Sequence, residues 1–172
     1  NIQCNLRNVV ESVWFDDITM VPYTLMTASP GFEAGAGQTP TGWQQYHPTQ
    51  GTFAWDTGVS HSGGASVSLT ATTGDLSGVP SFITTPVINP LQAGQQYQIG
   101  VWARGTATTG NNNLVVSWFN AANAYLGGTS SAALPNGTTT WTQLSMTTTV
   151  PDGAAYAQIF VRSGSNTGTV WY

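Results

Sequence analysis

Lysine is absent from this sequence, and charged side chains of every kind are scarce. Asp, Glu, Lys and Arg make up 6% of the 172 residues, and the formal net charge is −4. The only arginines are Arg7, Arg104 and Arg162. Nucleic-acid binding depends on basic side chains that neutralise phosphates. We therefore do not expect nucleic acid to be a partner.

Cysteine is almost absent as well. Cys4 is the single cysteine, so an internal disulfide and a zinc site built on thiolates are both excluded. No apolar run has the length of a membrane span, and no signal peptide is visible, so membrane insertion is not expected. The polar residues are mainly Thr, Ser, Asn, Gln and Gly, which is typical of extracellular β proteins and fibres. We expect an extracellular or cell-surface location, where Asn136 in Asn136-Gly137-Thr138 is a candidate glycosylation site.

The pattern of the sequence indicates an all-β protein. Hydrophobic residues make up 40% of the chain, and they form short stretches between clusters of Gly, Pro, Asn, Asp and Ser. The segments 97–104 and 156–162 alternate cleanly between apolar and polar positions. Further strands are predicted at 66–69, 82–83, 114–119 and 141–146. This arrangement predicts an all-β sandwich or barrel, with Trp43 and Trp141 in its core.

The beginning of the chain repeats its end. Val13-Trp14-Phe15 matches Val170-Trp171-Tyr172, and an arginine precedes each copy, at Arg7 and Arg162. Self-similarity at a long period indicates a repeat array. Only the first copy continues into Asp16-Asp17. We therefore predict that residues 1–22 are closing strands of a preceding or partner module, that residues 23–172 form the main module, and that this module lacks a closing strand at its back.

The acidic residues do not suggest an active site. Hydrolysis of a glycosidic bond needs two carboxyl groups that face the same bond. Asp16 and Asp17 are adjacent, so on a strand they point to opposite faces. Asp75 and Asp152 lie beside glycines in predicted turns, where Asp is simply favoured. We expect that the protein is not an enzyme.

A family resemblance rests on the order of several short motifs. The motifs are Ser29-Pro30-Gly31-Phe32-Glu33, Gly42-Trp43, His61-Ser62-Gly63-Gly64, Val101-Trp102-Ala103-Arg104 and Val150-Pro151-Asp152-Gly153. This order resembles the calcium-containing jelly-roll carbohydrate-binding modules, the group that includes families four, nine, sixteen and twenty-two. The resemblance implies an antiparallel β-sandwich of the jelly-roll type. One departure is that Asp16-Asp17, a pair that ends the family's modules, here precedes Phe32-Glu33.

The same resemblance implies a structural calcium ion. In the family, carboxylates from two strands and nearby backbone carbonyls bind the metal. Carried onto this sequence, the ligands are Glu33, Asp17 or Asp16, and carbonyl oxygens near His61 and Gly63. Oxygen donors of this kind suit a hard cation such as Ca²⁺.

Aromatic and amide side chains give a candidate sugar site. Aromatic rings stack on the apolar faces of sugars, while Gln, Asn and Arg bind their hydroxyls. Several such side chains point outward from predicted strands and would form one patch if those strands are neighbours, with two more at its rim. The patch residues are Trp102, Arg104, Phe119, Gln158, Phe160 and Arg162; the rim residues are Trp55 and Tyr46.

Two functions remain open from the sequence. The first is a non-catalytic extracellular module that binds a polysaccharide or surface glycan within a repeat array. The alternative is a structural subunit of a surface filament, in which Val13–Met20 enters a neighbouring copy head to tail. The same segment could instead fold back onto its own module.

Overall fold

A computed structural model of the chain describes residues 29–71, 79–85 and 91–172. These residues form twelve strands and one short 3-10 helix at Pro48–Gln50. Within these ranges, no helix is long and apolar enough to cross a bilayer. The strands are β1 Gly35–Ala36, β2 Thr39–Pro40, β3 Trp43–Tyr46, β4 Gly51–Asp56, β5 Ser66–Ala71, β6 Ser81–Thr84, β7 Gln96–Thr106, β8 Asn111–Phe119, β9 Tyr125–Ser130, β10 Thr142–Thr149, β11 Tyr156–Gly164 and β12 Thr169–Trp171.

Ten of the strands build two antiparallel sheets. Sheet A has the order β10-β7-β12-β5-β4, and sheet B has the order β3-β6-β11-β8-β9. β1 and β2 form a separate two-stranded hairpin. The two five-stranded sheets pack face to face around one core, which is the predicted antiparallel β-sandwich of the jelly-roll type.

The core comes from the inward positions of alternating strands. In β11, Ala157, Ile159 and Val161 are buried, as the alternation predicts. Leu69 of sheet A and Phe82 of sheet B are fully buried, and the rings of Phe53 and Phe82 meet edge to face with centroids 5.2 Å apart. Burial of these apolar side chains supplies the main favourable free energy of folding. Trp43 is 5% exposed and belongs to this core, as predicted.

β12 shows where the last residues of the chain lie in the fold. Its three residues lie inside sheet A, where Val170 pairs with Leu69 of β5 on one side and with Gly105 of β7 on the other. Tyr172 extends the pairing through two backbone hydrogen bonds with Val67. Residues 169–172 thus form the beginning of the closing strand, and the expectation that its continuation is missing from the module stays a prediction. The predicted strand at 13–20 lies outside the described residues.

Candidate functional site

The predicted sugar-binding patch is divided between two sheets. Trp102 and Arg104 lie on β7 of sheet A, whereas Phe119, on β8, and the outward residues of β11 belong to sheet B. The two outer faces of a sandwich point in opposite directions, with the core between them. The expectation of a single patch is therefore wrong. Four of its six residues stay together on sheet B: Phe119, Gln158, Phe160 and Arg162.

The outer face of sheet B carries aromatic rings at both of its ends. At one end, the ring of Tyr46 on β3 meets Phe160 of β11 edge to face, with centroids 6.0 Å apart. At the other end, Phe119 stacks on Tyr156 with centroids 5.1 Å apart and an interplanar angle of 13°. Tyr125 of β9 packs edge to face on the same Phe119 ring, at 5.9 Å. Both ends therefore offer ring surface to a ligand.

Polar side chains lie between the two aromatic ends. Gln158 pairs across the strands with Ser117, and Phe160 pairs with Ile83, whose other neighbour is Gln44. Tyr156 and Phe160 are four residues apart on one strand, which corresponds to about 13 Å along the sheet. The face is thus a strip with rings at its ends and amide and hydroxyl groups in its middle.

Exposure shows which rings are free to bind. Tyr125 is 63% exposed and Tyr46 is 46% exposed, and both lie on this face. Three further residues of this face were not predicted from the sequence: Tyr125, Tyr156 and Gln44. Tyr156 could have been found, because it has the same parity as Gln158 on the predicted strand. Tyr125 begins a short strand with two glycines, Gly127 and Gly128, which gives no periodic signal.

Arg162 stands on the same face and is held in place by an amide. Its Nε donates a hydrogen bond of 2.6 Å to Oδ1 of Asn113, a residue that is 3% exposed. The two residues are cross-strand partners on β11 and β8. The guanidinium is therefore oriented by the sheet itself.

The outer face of sheet A has a different arrangement, in which the rings cover one another. The His61 imidazole stacks on Trp102 with centroids 4.1 Å apart and an interplanar angle of 8°. His61 also meets the edge of Trp141, at 5.6 Å. The Arg104 guanidinium lies 6.0 Å from the Trp141 ring centroid and 5.9 Å from that of Trp171. The prediction that Trp141 lies in the core is wrong, because its ring belongs to this outer cluster.

An acidic side chain completes the sheet A cluster. Trp171 donates its indole Nε1–H to Oδ2 of Asp56, at 2.8 Å. Partial burial alone would raise the pKa of Asp56, but the hydrogen bonds from Trp171 and from the backbone of Gly58 and Val59 outweigh it. The pKa of this carboxyl is therefore lowered. Asp56 is thereby held as a structural anion next to β12.

Trp55 lies on the opposite sheet from Phe119, Gln158, Phe160 and Arg162, so it is not at the rim of that patch. It lies on β4, packs against the core, and donates its indole N–H to the backbone carbonyl of Phe32 at 2.7 Å. The predicted position of Trp55 at the rim of the patch is therefore wrong. The bond instead fixes the segment before Glu33 against sheet A.

Glu33 lies against the loop that precedes β5. Its Oε2 accepts a hydrogen bond of 2.8 Å from the backbone N–H of Gly64. Gly63 has a positive φ of 68°, and a Cβ at that position would collide with the Glu33 carboxylate. The structure thus brings together two predicted metal-site positions, Glu33 and Gly63, while the His61 ring is engaged by Trp102. Asp16 and Asp17 lie outside the described residues, and within those residues no three His, Cys, Asp or Glu side chains cluster.

A small cleft opens on the sheet A side, next to the end of β12. Its volume is about 140 Å³, and its lining includes Phe32, His61, Ala65, Val101, Trp102 and Tyr172. β12 pairs with β7 only from Arg104 to Thr106, and the part of β7 that borders the cleft pairs on its other side with β10. Within the described residues, the β7 backbone at 100–102 therefore has no strand partner on the cleft side.

Comparisons with known proteins agree with this geometry. Among solved structures, tailspike protein 4 of bacteriophage CBA120 matches 85% of this chain at 20% identity and a TM-score of 0.62, and this chain spans about a fifth (20%) of the tailspike domain. The CBM22-1 xylan-binding domain of Paenibacillus barcinonensis Xyn10C matches 86% of this chain and 88% of its own length, at 14% identity and a TM-score of 0.58. A cyclase from Fischerella sp. TAU matches 83% of this chain and 89% of its own length, at 12% identity and a TM-score of 0.58. At such low identities, these similarities show the fold alone.

The family comparison is more specific than the structural one. A search of curated proteins found no match. Residues 26–168, however, match the family model of a carbohydrate binding domain. Because this match covers most of the sequence, the chain belongs to the carbohydrate binding domain family.

Proposed function

We propose that this domain binds a polysaccharide through the outer face of sheet B, as a non-catalytic module of an extracellular protein. The observation that carries the proposal is the pair of exposed tyrosines, Tyr46 and Tyr125, at opposite ends of a strip with Gln158 in its middle. Exposed rings on a rigid sheet stack on sugars with little loss of side-chain entropy, and amides bind the hydroxyls between them. A long, open strip suits a chain of sugars better than a single one.

The distribution of carboxylates supports a role in binding rather than in hydrolysis. The five strands of sheet B contain neither Asp nor Glu. Glu33 and Asp56, in contrast, are hydrogen-bonded at other places, to Gly64 and Trp171. Among the residues that the structure describes, no pair of carboxyl groups faces one glycosidic bond on the sheet that we assign to the ligand.

Binding to soluble oligosaccharides tests this proposal. Tyr46→Ala and Tyr125→Ala should each weaken binding by about 1 kcal/mol, which is the typical contribution of one aromatic contact. Trp102→Ala is the matched control, because Trp102 is 39% exposed but lies on sheet A. If both tyrosine variants still bind and Trp102→Ala does not, the binding site lies on sheet A, and our assignment to sheet B is wrong.

We further propose that Glu33 helps to bind a structural calcium ion. Its carboxylate lies against Gly63 and Gly64, where only a residue without a side chain leaves room for it. A carboxylate is a donor that suits Ca²⁺, whose coordination by 6–8 oxygens would here require further ligands, such as backbone carbonyls of this loop. Asp16 or Asp17 remains our candidate for the second carboxylate.

Assembly into an array or a filament is a second candidate function, and one observation favours it. The β7 backbone at 100–102 borders the cleft and lacks a described strand partner on that side. Unpaired edges of this kind accept added strands. Val13–Met20, whose beginning repeats Val170-Trp171-Tyr172, is the candidate donor.

Sedimentation of the full chain at increasing concentration tests assembly. Concentration-dependent oligomers that Trp14→Ala abolishes would support strand exchange between copies. A monomer at every concentration would contradict it and leave the sugar-binding proposal untouched.

A further inference from the structure

The only formal charge on the strands of sheet B is positive. Those five strands contain one arginine, Arg162, and no Asp, Glu, Lys or His. The chain as a whole is acidic, with a net charge of −4, whereas these strands carry a positive charge and no negative one. The described carboxylates lie elsewhere, at Glu33, Asp56 and Asp152.

Arg162 has no counter-ion among the residues that the structure describes. Its side chain donates through Nε to the neutral amide of Asn113, and no carboxylate of those residues forms an ion pair with it. The residue is half-buried, and a half-buried cation without a partner is unfavourable for stability. Arg104, in comparison, lies against two tryptophan rings that offer it cation–π contacts.

Within the described residues, the two terminal nitrogens of the Arg162 guanidinium have no hydrogen-bond partner. A guanidinium has five N–H donors, and the bond from Nε to Asn113 uses one of them. The two terminal nitrogens remain for an acceptor, and their planar arrangement matches the two oxygens of a carboxylate. Phe160, two residues earlier on the same face, is positioned to stack on the ring that carries such a group.

We propose that the polysaccharide is acidic and that Arg162 binds the carboxylate of a uronic acid unit in it. The ring of this unit stacks at the Tyr46–Phe160 end of the strip, while neighbouring sugars extend past Gln158 toward Tyr125. This inference rests on the proposed function, since it names the ligand class of the same site. It adds a charge requirement that aromatic stacking alone does not impose.

Matched pairs of glycans test the charge requirement without any change in the protein. Oligogalacturonides, alginate oligosaccharides and glucuronoxylan fragments are each compared with their methyl-esterified forms, which keep the backbone and lose the charge. At least one acid form should bind about tenfold more tightly than its ester, as expected for a hydrogen bond to a charged group. The ratio of acid affinity to ester affinity should fall as NaCl is raised from 50 to 500 mM, because salt screens the attraction between exposed charges.

Variants assign the preference to a residue. Arg162→Gln should bind the acid and the ester equally, and Arg162→Lys should keep part of the preference, because it retains the charge but not the fork. Arg104→Gln changes the net charge by the same amount on the opposite sheet and should behave like the wild type. Thermal melting of each variant verifies folding. If Arg162→Gln does not fold, the comparison of acid with ester in the wild-type protein still tests the charge requirement.

The outcomes separate this inference from the proposed function. Equal binding of acids and esters, still weakened by Tyr125→Ala, would overturn the acidic ligand and leave polysaccharide binding intact. Stronger binding of sulfated glycans than of any uronate would overturn the assignment to a carboxylate. Failure to bind any glycan would overturn both proposals.

Discussion

The hydroxyl of Tyr172 donates a hydrogen bond of 2.6 Å to the backbone carbonyl of Arg162, and this bond joins the two sheets. Tyr172 follows β12 of sheet A, whereas Arg162 lies on β11 of sheet B. The tyrosine is 3% exposed, so its bond crosses the edge of the core. It also fixes the backbone of the residue that we assign to the ligand.

Alkaline conditions should destabilise the fold through Tyr172. Burial strongly raises its pKa, and the nearby positive charge of Arg162 offsets only part of this effect. A raised folded-state pKa means that the stabilisation is complete below the unfolded value of about 10 and is lost as the pH rises above it. Denaturant unfolding at pH 8 and pH 10.5 should show the loss.

Tyr172→Phe separates this effect from other alkaline effects. The variant should be about 1 kcal/mol less stable at neutral pH, because the Arg162 carbonyl loses its donor. Its stability should then fall less steeply than that of the wild type above pH 10. An identical alkaline slope in both proteins would contradict the role of Tyr172.

Acid conditions should weaken the bond between Asp56 and Trp171. The pKa of Asp56 is lowered in the folded state, so its contribution is present above the unfolded value and is lost as the pH falls through the folded value. Asp56 is only half-buried, and solvent screening keeps the effect below about 1 kcal/mol. Melting curves from pH 5 to pH 2.5 should show a shallower decline for Asp56→Asn than for the wild type. Asp152→Asn, in an exposed turn, serves as the control.

Gly63→Ala should destabilise the protein more than Gly137→Ala. Both glycines have positive φ angles, +68° and +74°, so each substitution should cost about 1–2 kcal/mol in backbone strain. Gly137 has open space around it, whereas a Cβ at Gly63 collides with the Glu33 carboxylate. Unfolding free energies should therefore differ between the two variants by about a further 1 kcal/mol. Adding Glu33→Ala to Gly63→Ala should abolish this difference, and a difference that persists in the double variant would contradict the collision.

Calcium should raise the melting temperature, and a chelator should lower it. A ligand that binds only the folded state stabilises it by about 2.7 kcal/mol at a concentration of one hundred times its dissociation constant. Glu33→Gln should lose most of this response, while Asp56→Asn should retain it. A melting temperature that changes with neither calcium nor chelator would contradict the proposal of a structural calcium ion.

The sequence predicts individual strands and their inward faces well. The alternation in 156–162 correctly assigns Ile159 to the core and Phe160 to the surface. The motif order identifies the family, which the match over residues 26–168 confirms. Both kinds of signal are local, because each depends on residues that are close together in the chain.

The pairing of distant strands is what the sequence could not predict. β7 and β11 have the same alternation, yet β7 pairs with β10 and β12 while β11 pairs with β6 and β8. The prediction of a single patch required Trp102 and Phe160 to lie on the same sheet, but they lie on different sheets. Trp141 was wrongly predicted to lie in the core for a related reason. Its ring partners, His61 and Arg104, come from distant parts of the chain.

The alternation in β11 also has an evolutionary consequence. Core side chains and the outward side chains that we assign to the ligand alternate along one strand, so a substitution at Gln158 or Phe160 leaves the buried set unchanged. On the proposed binding face, recognition of a new glycan can therefore arise by single substitutions at such positions, with little penalty to folding. A one-residue insertion or deletion, in contrast, reverses every side chain beyond it and removes the core and the site together. Selection on this strand should accordingly tolerate changes of residue type at alternate positions and reject changes of length.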